Sequence, residues 1–252
     1  MKRANNLLLA ITCLALAALA CNAVGGGGAP TAVTDPIIPT SVPLEEPTAV
    51  VDLPVPTEES QSNSGEILFK DDFVPGRGEW GTGSDSDRTV EYVDDTLNIR
   101  IAATNYFVWT MPNDETYTNI HMEVTAINRN TDPHAAFGIT CNQQFIDESR
   151  YYFAVTPAGE YAIVLAALAQ EDNFLTNGGW ETSDLIAKNA ESYRIGVDCG
   201  NGKLTLYVDG QQIASVDDTT YPSGGFALFA LSGEQANGAD VSFDDFIITQ
   251  LP

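Results

Sequence analysis

The chain has 252 residues, enough for one large β domain or two small ones. Its 35 Asp and Glu against 11 Lys and Arg give a formal net charge of -24. A field of that sign repels nucleic acid and anionic lipid headgroups, so both are excluded as binding surfaces, whereas it suits a protein that must stay dispersed.

Lys2 and Arg3 precede an apolar run from Leu7 to Ala20, interrupted only by Thr12 and Cys13. At about 1.5 Å per residue this run is too short for a hydrocarbon core of about 30 Å, and it reads as the h-region of a signal peptide, residues 1–20. It ends Ala18-Leu19-Ala20-Cys21. Small residues before a cysteine resemble the lipobox of bacterial lipoproteins, with Ala18 standing where Leu is commoner. The resemblance implies a lipid on Cys21, an N-terminus created at that residue, and a protein held on the outer side of a membrane. Ordinary cleavage near Ala20, leaving Cys21 as a thiol, is the alternative.

Residues 21–65 read as a stalk. Gly25 to Gly28 is a flexible tetraglycine, followed by Pro- and Thr-rich segments such as Thr40-Ser41-Val42-Pro43 and Val55-Pro56-Thr57-Glu58-Glu59. Proline disfavours helix interiors and favours extended polyproline II, and no periodic apolar face appears.

From residue 66 to 252 the pattern becomes that of strands. Thr89 to Val93 and Leu97 to Ile101 alternate around Asp94-Asp95, which reads as a hairpin. Phe137 to Cys141 and Tyr151 to Val155 are further strands, the second ending at Pro157-Ala158-Gly159. Tyr193 to Cys199, Leu204 to Val208 and Ile213 to Val216 form a meander, because Asn201-Gly202 and Asp209-Gly210 supply the positive φ angles of tight hairpins. Phe226 to Ala230 and Val241 to Ile248 close the chain. Tyr161 to Gln170 fits a strand or a helix equally, and Thr182 to Asn189 fits a short capped turn. About a dozen strands with almost no helix predict an all-β sandwich or barrel.

Leu68-Phe69-Lys70-Asp71-Asp72-Phe73, Trp80 and the hairpin around Leu97-Asn98-Ile99 resemble the opening of concanavalin A-like domains. Tyr193-Arg194-Ile195, Leu204 to Gly210, Gly224 to Leu228 and Val241 to Phe246 resemble their closing half. Laminin-G-like modules and the domain of 3-keto-disaccharide hydrolases share this grammar. The resemblance implies an antiparallel jelly roll whose first and last strands meet, but not one function, since that fold hosts lectins, adhesion modules and glycosidases alike.

Beyond Cys21 only Cys141 and Cys199 remain. In an exported chain such a pair predicts a disulfide, and each cysteine shares a strand face with apolar neighbours. Asp71 and Asp72 near the start and Asp244 and Asp245 near the end would be neighbours in a jelly roll. They are expected either to hold a structural Ca²⁺ or to face water separately; no other cofactor is expected. His121 and Glu123 share a strand face, more simply a solvated face than a site. The chain has no Gly-x-Ser-x-Gly, His-Glu-x-x-His or phosphate loop. Aromatic rings that stack on pyranoses beside groups that bond hydroxyls point to Trp109, Arg150, Tyr152, Trp180 and Tyr207 as candidate ligand residues. The expected role is a displayed, non-catalytic module that contacts glycans or a cell-surface partner. The alternatives are a glycoside-acting hydrolase of the 3-keto-disaccharide hydrolase type and a structural or adhesive envelope protein without a small ligand. Replacing Cys21→Ser is expected to move the protein from the membrane to the soluble fraction, and a C21S protein still wholly membrane-bound would refute the anchor.

Overall fold

A computed structural model describes residues 65–76 and 80–252. The expected signal peptide, Cys21 and the stalk through residue 64 lie outside the described residues. In chain order the elements are β1 (Ile67–Asp71), β2 (Gly83–Ser84), β3 (Arg88–Val93), β4 (Thr96–Ile101), β5 (Phe107–Thr110) and β6 (Ile120–Asn128). There follow β7 (Ala136–Gln143), β8 (Arg150–Val155), β9 (Glu160–Ala166), β10 (Asn173–Phe174) and β11 (Glu181–Thr182). The last are β12 (Ser192–Gly200), β13 (Lys203–Val208), β14 (Gln211–Asp217), β15 (Gly225–Leu231) and β16 (Ala239–Gln250). Every named element among the described residues is a strand.

The hairpins form where the turn residues place them. Asp94 and Asp95 take φ of 50° and 55°, Asn201 and Gly202 54° and 72°, and Asp209 and Gly210 51° and 76°. Two consecutive positive φ angles give the turn whose twist matches that of paired strands. The ambiguous stretch from Tyr161 is strand up to Ala166, because β9 is paired by β8 on one side and by β10 and β11 on the other. Tertiary pairing outweighs the helical propensity of its alanines. Residues 183–189 form turns, with Ser183 Oγ accepting from Leu185 N at 3.2 Å and the buried Ile186 fastening the segment to the core.

Two antiparallel sheets result. The first has the order β14-β13-β12-β6-β16-β4-β3-β2, with β1 added beside the second half of β16. The second runs β10-β9-β8-β7-β15-β5, with β11 also on β9. First and last strands pair, Asp71 opposite Phe246. The inward residues of both sheets form one core that includes Leu97, Ile99, Met122, Val124, Phe137, Phe153, Ile195, Val197, Leu228 and Phe243. One end is sealed by stacked and edge-on rings of Phe69, Phe73, Trp80, Phe226 and Phe246, with centroids 5.1–5.9 Å apart.

Cys141 on β7 and Cys199 on β12 form a disulfide between the two sheets, their Cα atoms 6.6 Å apart. Both are fully buried. Closing a loop of 58 residues restrains the unfolded chain by about 4 kcal/mol in the chain-entropy account. The paired change Cys141→Ala with Cys199→Ala is therefore expected to lower unfolding stability by a few kcal/mol in guanidinium titrations. An unchanged midpoint would show that sheet packing alone carries the stability.

Candidate functional site

A strand that packs one face on a core ordinarily offers polar side chains on the other. The second sheet departs from this. On β8, Tyr151 and Phe153 point into the core, while Tyr152 and Ala154 lie on the opposite face with Ala136, Ala162, Val164, Ala166 and Phe229 in a second apolar cluster. Phe107, Trp109, Phe174 and Leu231 pack over that cluster. The register brings these side chains together: Phe229 of β15 lies opposite both Trp109 of β5 and Gly138 of β7. A Cβ on Gly138 would sit 1.9 Å from the Phe153 carbonyl oxygen and 3.1 Å from the Phe229 ring, so this position admits only glycine.

The rings of Phe107 and Phe229 stack at 4.8 Å with planes 14° apart, and Tyr152 meets both at 5.5–5.6 Å. Arg150 lies across this layer, with Cζ 4.8 Å from the Phe107 centroid and 5.9 Å from that of Trp109. Nη1 donates to Glu148 O at 2.9 Å, while the buried Nε has no partner. Burial lowers the pKa of this guanidinium, and the negative charges of Glu148 and Asp172 oppose the shift. The Tyr152 hydroxyl donates to Asp172 Oδ2 at 2.7 Å; burial first, and then that bond, push its pKa well above the usual phenol value. Tyr152 is only 2% exposed, so it anchors the loop carrying Asp172 and is no stacking platform.

Trp109 is half-buried and stands at the rim. There Gly81 N donates to Met111 O at 3.2 Å, and Thr110 Oγ1 donates to Gly81 O at 2.7 Å. The chain then crosses to the first sheet, where Gly83 pairs with Val90. This crossing leaves an open groove of 360 Å³ lined by Gly81, Thr82, Gly83, Arg88, Val90, Trp109, Thr110 and Met111. Small-ligand sites generally need about 300–1,000 Å³. Two other concavities are smaller, one of about 160 Å³ around Asn142 and Tyr221 and one of about 290 Å³ around Lys70 and Arg194.

The structure thus gathers three of the five expected ligand residues, Trp109, Arg150 and Tyr152, on one face. Trp180 flanks them: it is 38% exposed, and its ring lies 6.3 Å from Phe174. Tyr207 does not join them, because β13 belongs to the other sheet. Its hydroxyl donates to Asp198 Oδ2 at 2.8 Å in a network where His121 Nδ1 bonds Asp198 at 2.6 Å and Nε2 lies 3.3 Å from Glu123. Arg194 completes the network, 3.1 Å from Glu123. The sequence reading missed Phe107, Phe229, Arg88 and the Gly81–Gly83 segment. For Phe107 a signal existed, since it shares strand alternation with Trp109.

The four aspartates behave differently from the calcium expectation. Their segments are neighbours, but Asp71 Oδ2 accepts from the Trp80 indole N–H at 2.9 Å, and its Oδ1 accepts from Phe73 N at 2.8 Å. Asp244 Oδ1 accepts from Asp245 N at 2.7 Å, and Asp72 and Asp245 are exposed. Asp71 is occupied in fastening Trp80 into the end of the core, so the carboxylates do not converge. Among the described residues no group of three or more His, Cys, Asp or Glu side chains is placed to hold a metal ion.

The sequence matches no family model and no curated protein. Solved structures do match. The carbohydrate-binding module CBM66 from Bacillus subtilis aligns with a TM-score of 0.53 at 10% identity, over 69% of this chain and 96% of that one. A Bacillus subtilis protein of unknown function with a galectin-like fold aligns at 0.54 and 11%, over 74% and 96%. The endo-beta-1,3-glucanase from Pyrococcus furiosus aligns at 0.52 and 10%, over 74% and 94%. At these identities the likeness is one of fold, and the domain is a galectin-like, concanavalin A-like jelly roll.

The His121 network makes stability depend on pH. Burial alone would lower the His121 pKa, but its bonds to Asp198 and Glu123 prevail and raise it from 6.5 to about 9. The His121 bond, with Arg194 behind it, lowers Glu123 from 4.5 to about 2. A raised pKa in the folded state stabilises fully below 6.5 and is lost as pH rises through about 9. Urea midpoints are expected to fall between those two pH values, and His121→Gln to flatten that slope. A wild-type midpoint that stays constant across the window would refute the linkage.

Proposed function

We propose that this domain is a non-catalytic glycan-binding module, and that a saccharide lies in the rim groove against Trp109. The carrying observation is the combination found there: a half-buried indole in a groove also lined by the exposed Thr82, by Arg88 and by Gly83, which carries no side chain. A pyranose has an apolar face of C–H groups and a rim of hydroxyls, and an aromatic ring with a few fixed polar groups matches both. The described residues lining the groove include no Asp, Glu or His. Glycoside hydrolysis ordinarily needs two carboxylates flanking the scissile bond, which favours binding over cleavage here. Fold neighbours that include a carbohydrate-binding module and a glucanase support a saccharide ligand without choosing between the two roles.

The same reading keeps Cys21 as a lipid anchor and residues 21–65 as a stalk that displays the domain outside the cell. The Cys141–Cys199 bridge supports it, since such bonds persist in oxidising compartments.

On a glycan array the full-length protein is expected to bind saturably. Trp109→Ala is expected to weaken that binding about tenfold or more, equivalent to about 1.4 kcal/mol. Tyr207→Ala, on the other sheet, is expected to leave binding unchanged. Retained affinity in W109A, or no binding to any glycan, would overturn the proposal.

A further inference from the structure

Most crowded glycines in this fold have a structural reason. A Cβ on Gly138, Gly200 or Gly224 would meet backbone atoms at 1.9, 2.5 and 2.4 Å. Others, such as Gly202 and Gly210, hold positive φ in turns. Gly83 has neither reason. It lies in β2 with no left-handed φ, and a Cβ built on it would meet nothing within 4 Å. Glycine in a strand loses more conformational entropy on folding than any other residue and offers nothing to pack, so the fold gains nothing from it here. One recognised use of a strand glycine is to let another molecule approach the backbone closely.

The location fits that use. β2 is the terminal strand of the first sheet, and Gly83 lines the groove shared with Trp109. A Cβ there would meet open space, so the backbone at 83 is uncovered on the side a side chain would occupy. The charge pattern defines the ligand further. Arg88 is the one charged group among the described lining residues, and its Nε lies 3.4 Å from Asp85 Oδ2. In a chain of net charge -24, a cation already paired in this way gives an acidic saccharide no net attraction. An extended peptide is a poorer occupant, because β2 offers only two residues of edge on which to pair.

We infer that Gly83 is a ligand-contact position whose missing side chain admits an uncharged glycan onto the backbone of the groove that Trp109 also lines. This rests on the groove reading above. The test uses the full-length protein and Gly83→Val on an array holding neutral and acidic oligosaccharides, with thermal unfolding of both proteins. Binding should be confined to neutral glycans, and G83V should lose about tenfold or more in affinity while melting within about 2 °C of wild type or above it. Equal glycan binding by G83V would sink this inference and leave the groove reading standing. So would a marked fall in its melting temperature, which would make the glycine structural, or wild-type binding confined to acidic glycans. Failure of the wild type to bind any glycan would remove the groove reading itself.

Discussion

The face-to-face packing of two antiparallel sheets is the constraint on which the rest of the molecule depends. Each strand hides one face, so the inward side chains of β4, β6, β12 and β16 must meet those of β7, β8 and β15. Cys141 and Cys199 tie the two layers at one point, between central strands of opposite sheets. The end near the paired first and last strands is held by rings, with Asp71 securing the Trp80 indole and the Tyr92 hydroxyl accepting from the Trp80 amide at 3.1 Å. That closure sends the chain past Trp80 along the rim, and the rim is where the groove opens.

The outward faces of the two sheets solve the solvent problem in different ways. On the first sheet, His121, Glu123, Arg194, Asp198 and Tyr207 satisfy one another, with charges paired across neighbouring strands. Such a face is a finished surface. On the second sheet the outward residues are small and aromatic, and one guanidinium is laid over the rings. Arg150 Nε and Thr140 Oγ1 remain buried without a partner there. A layer of that kind supports the rim from beneath: Phe107 and Phe229 hold the strand that carries Trp109. The groove therefore owes its position to aromatic packing, while the residues that line it are mostly small.

Acidity shapes the molecule without forming a metal centre among the described residues. Several carboxylates serve as local fasteners, as Asp71 does for Trp80 and Asp172 for Tyr152. Others sit in turns: Asp94, Asp95 and Asp209 take the left-handed backbone that their short polar side chains tolerate. Adjacent aspartates on one strand point to opposite sides or bond their own backbone, so closeness in sequence and in strand pairing does not bring carboxylates into one site.

By itself the sequence determined what depends on near neighbours. Alternation and turn chemistry located most strands and the three tight hairpins, and two cysteines on apolar strand faces identified the disulfide. Strand period also placed Arg150 and Tyr152 on one side of β8. It could not say which strands are neighbours, because pairing partners such as β5 and β15 lie more than 100 residues apart. Hence Trp109 and Tyr207 gave the same local signal, yet one lines the groove and the other stands on the opposite sheet. Gly83 and Gly138 are likewise the same letter in two strands. Only the tertiary structure shows that one is enforced by a backbone oxygen 1.9 Å from its missing Cβ, while the other faces open space. Local periodicity fixes the side of a strand a residue occupies; the long-range register of sheet pairing decides what that side meets.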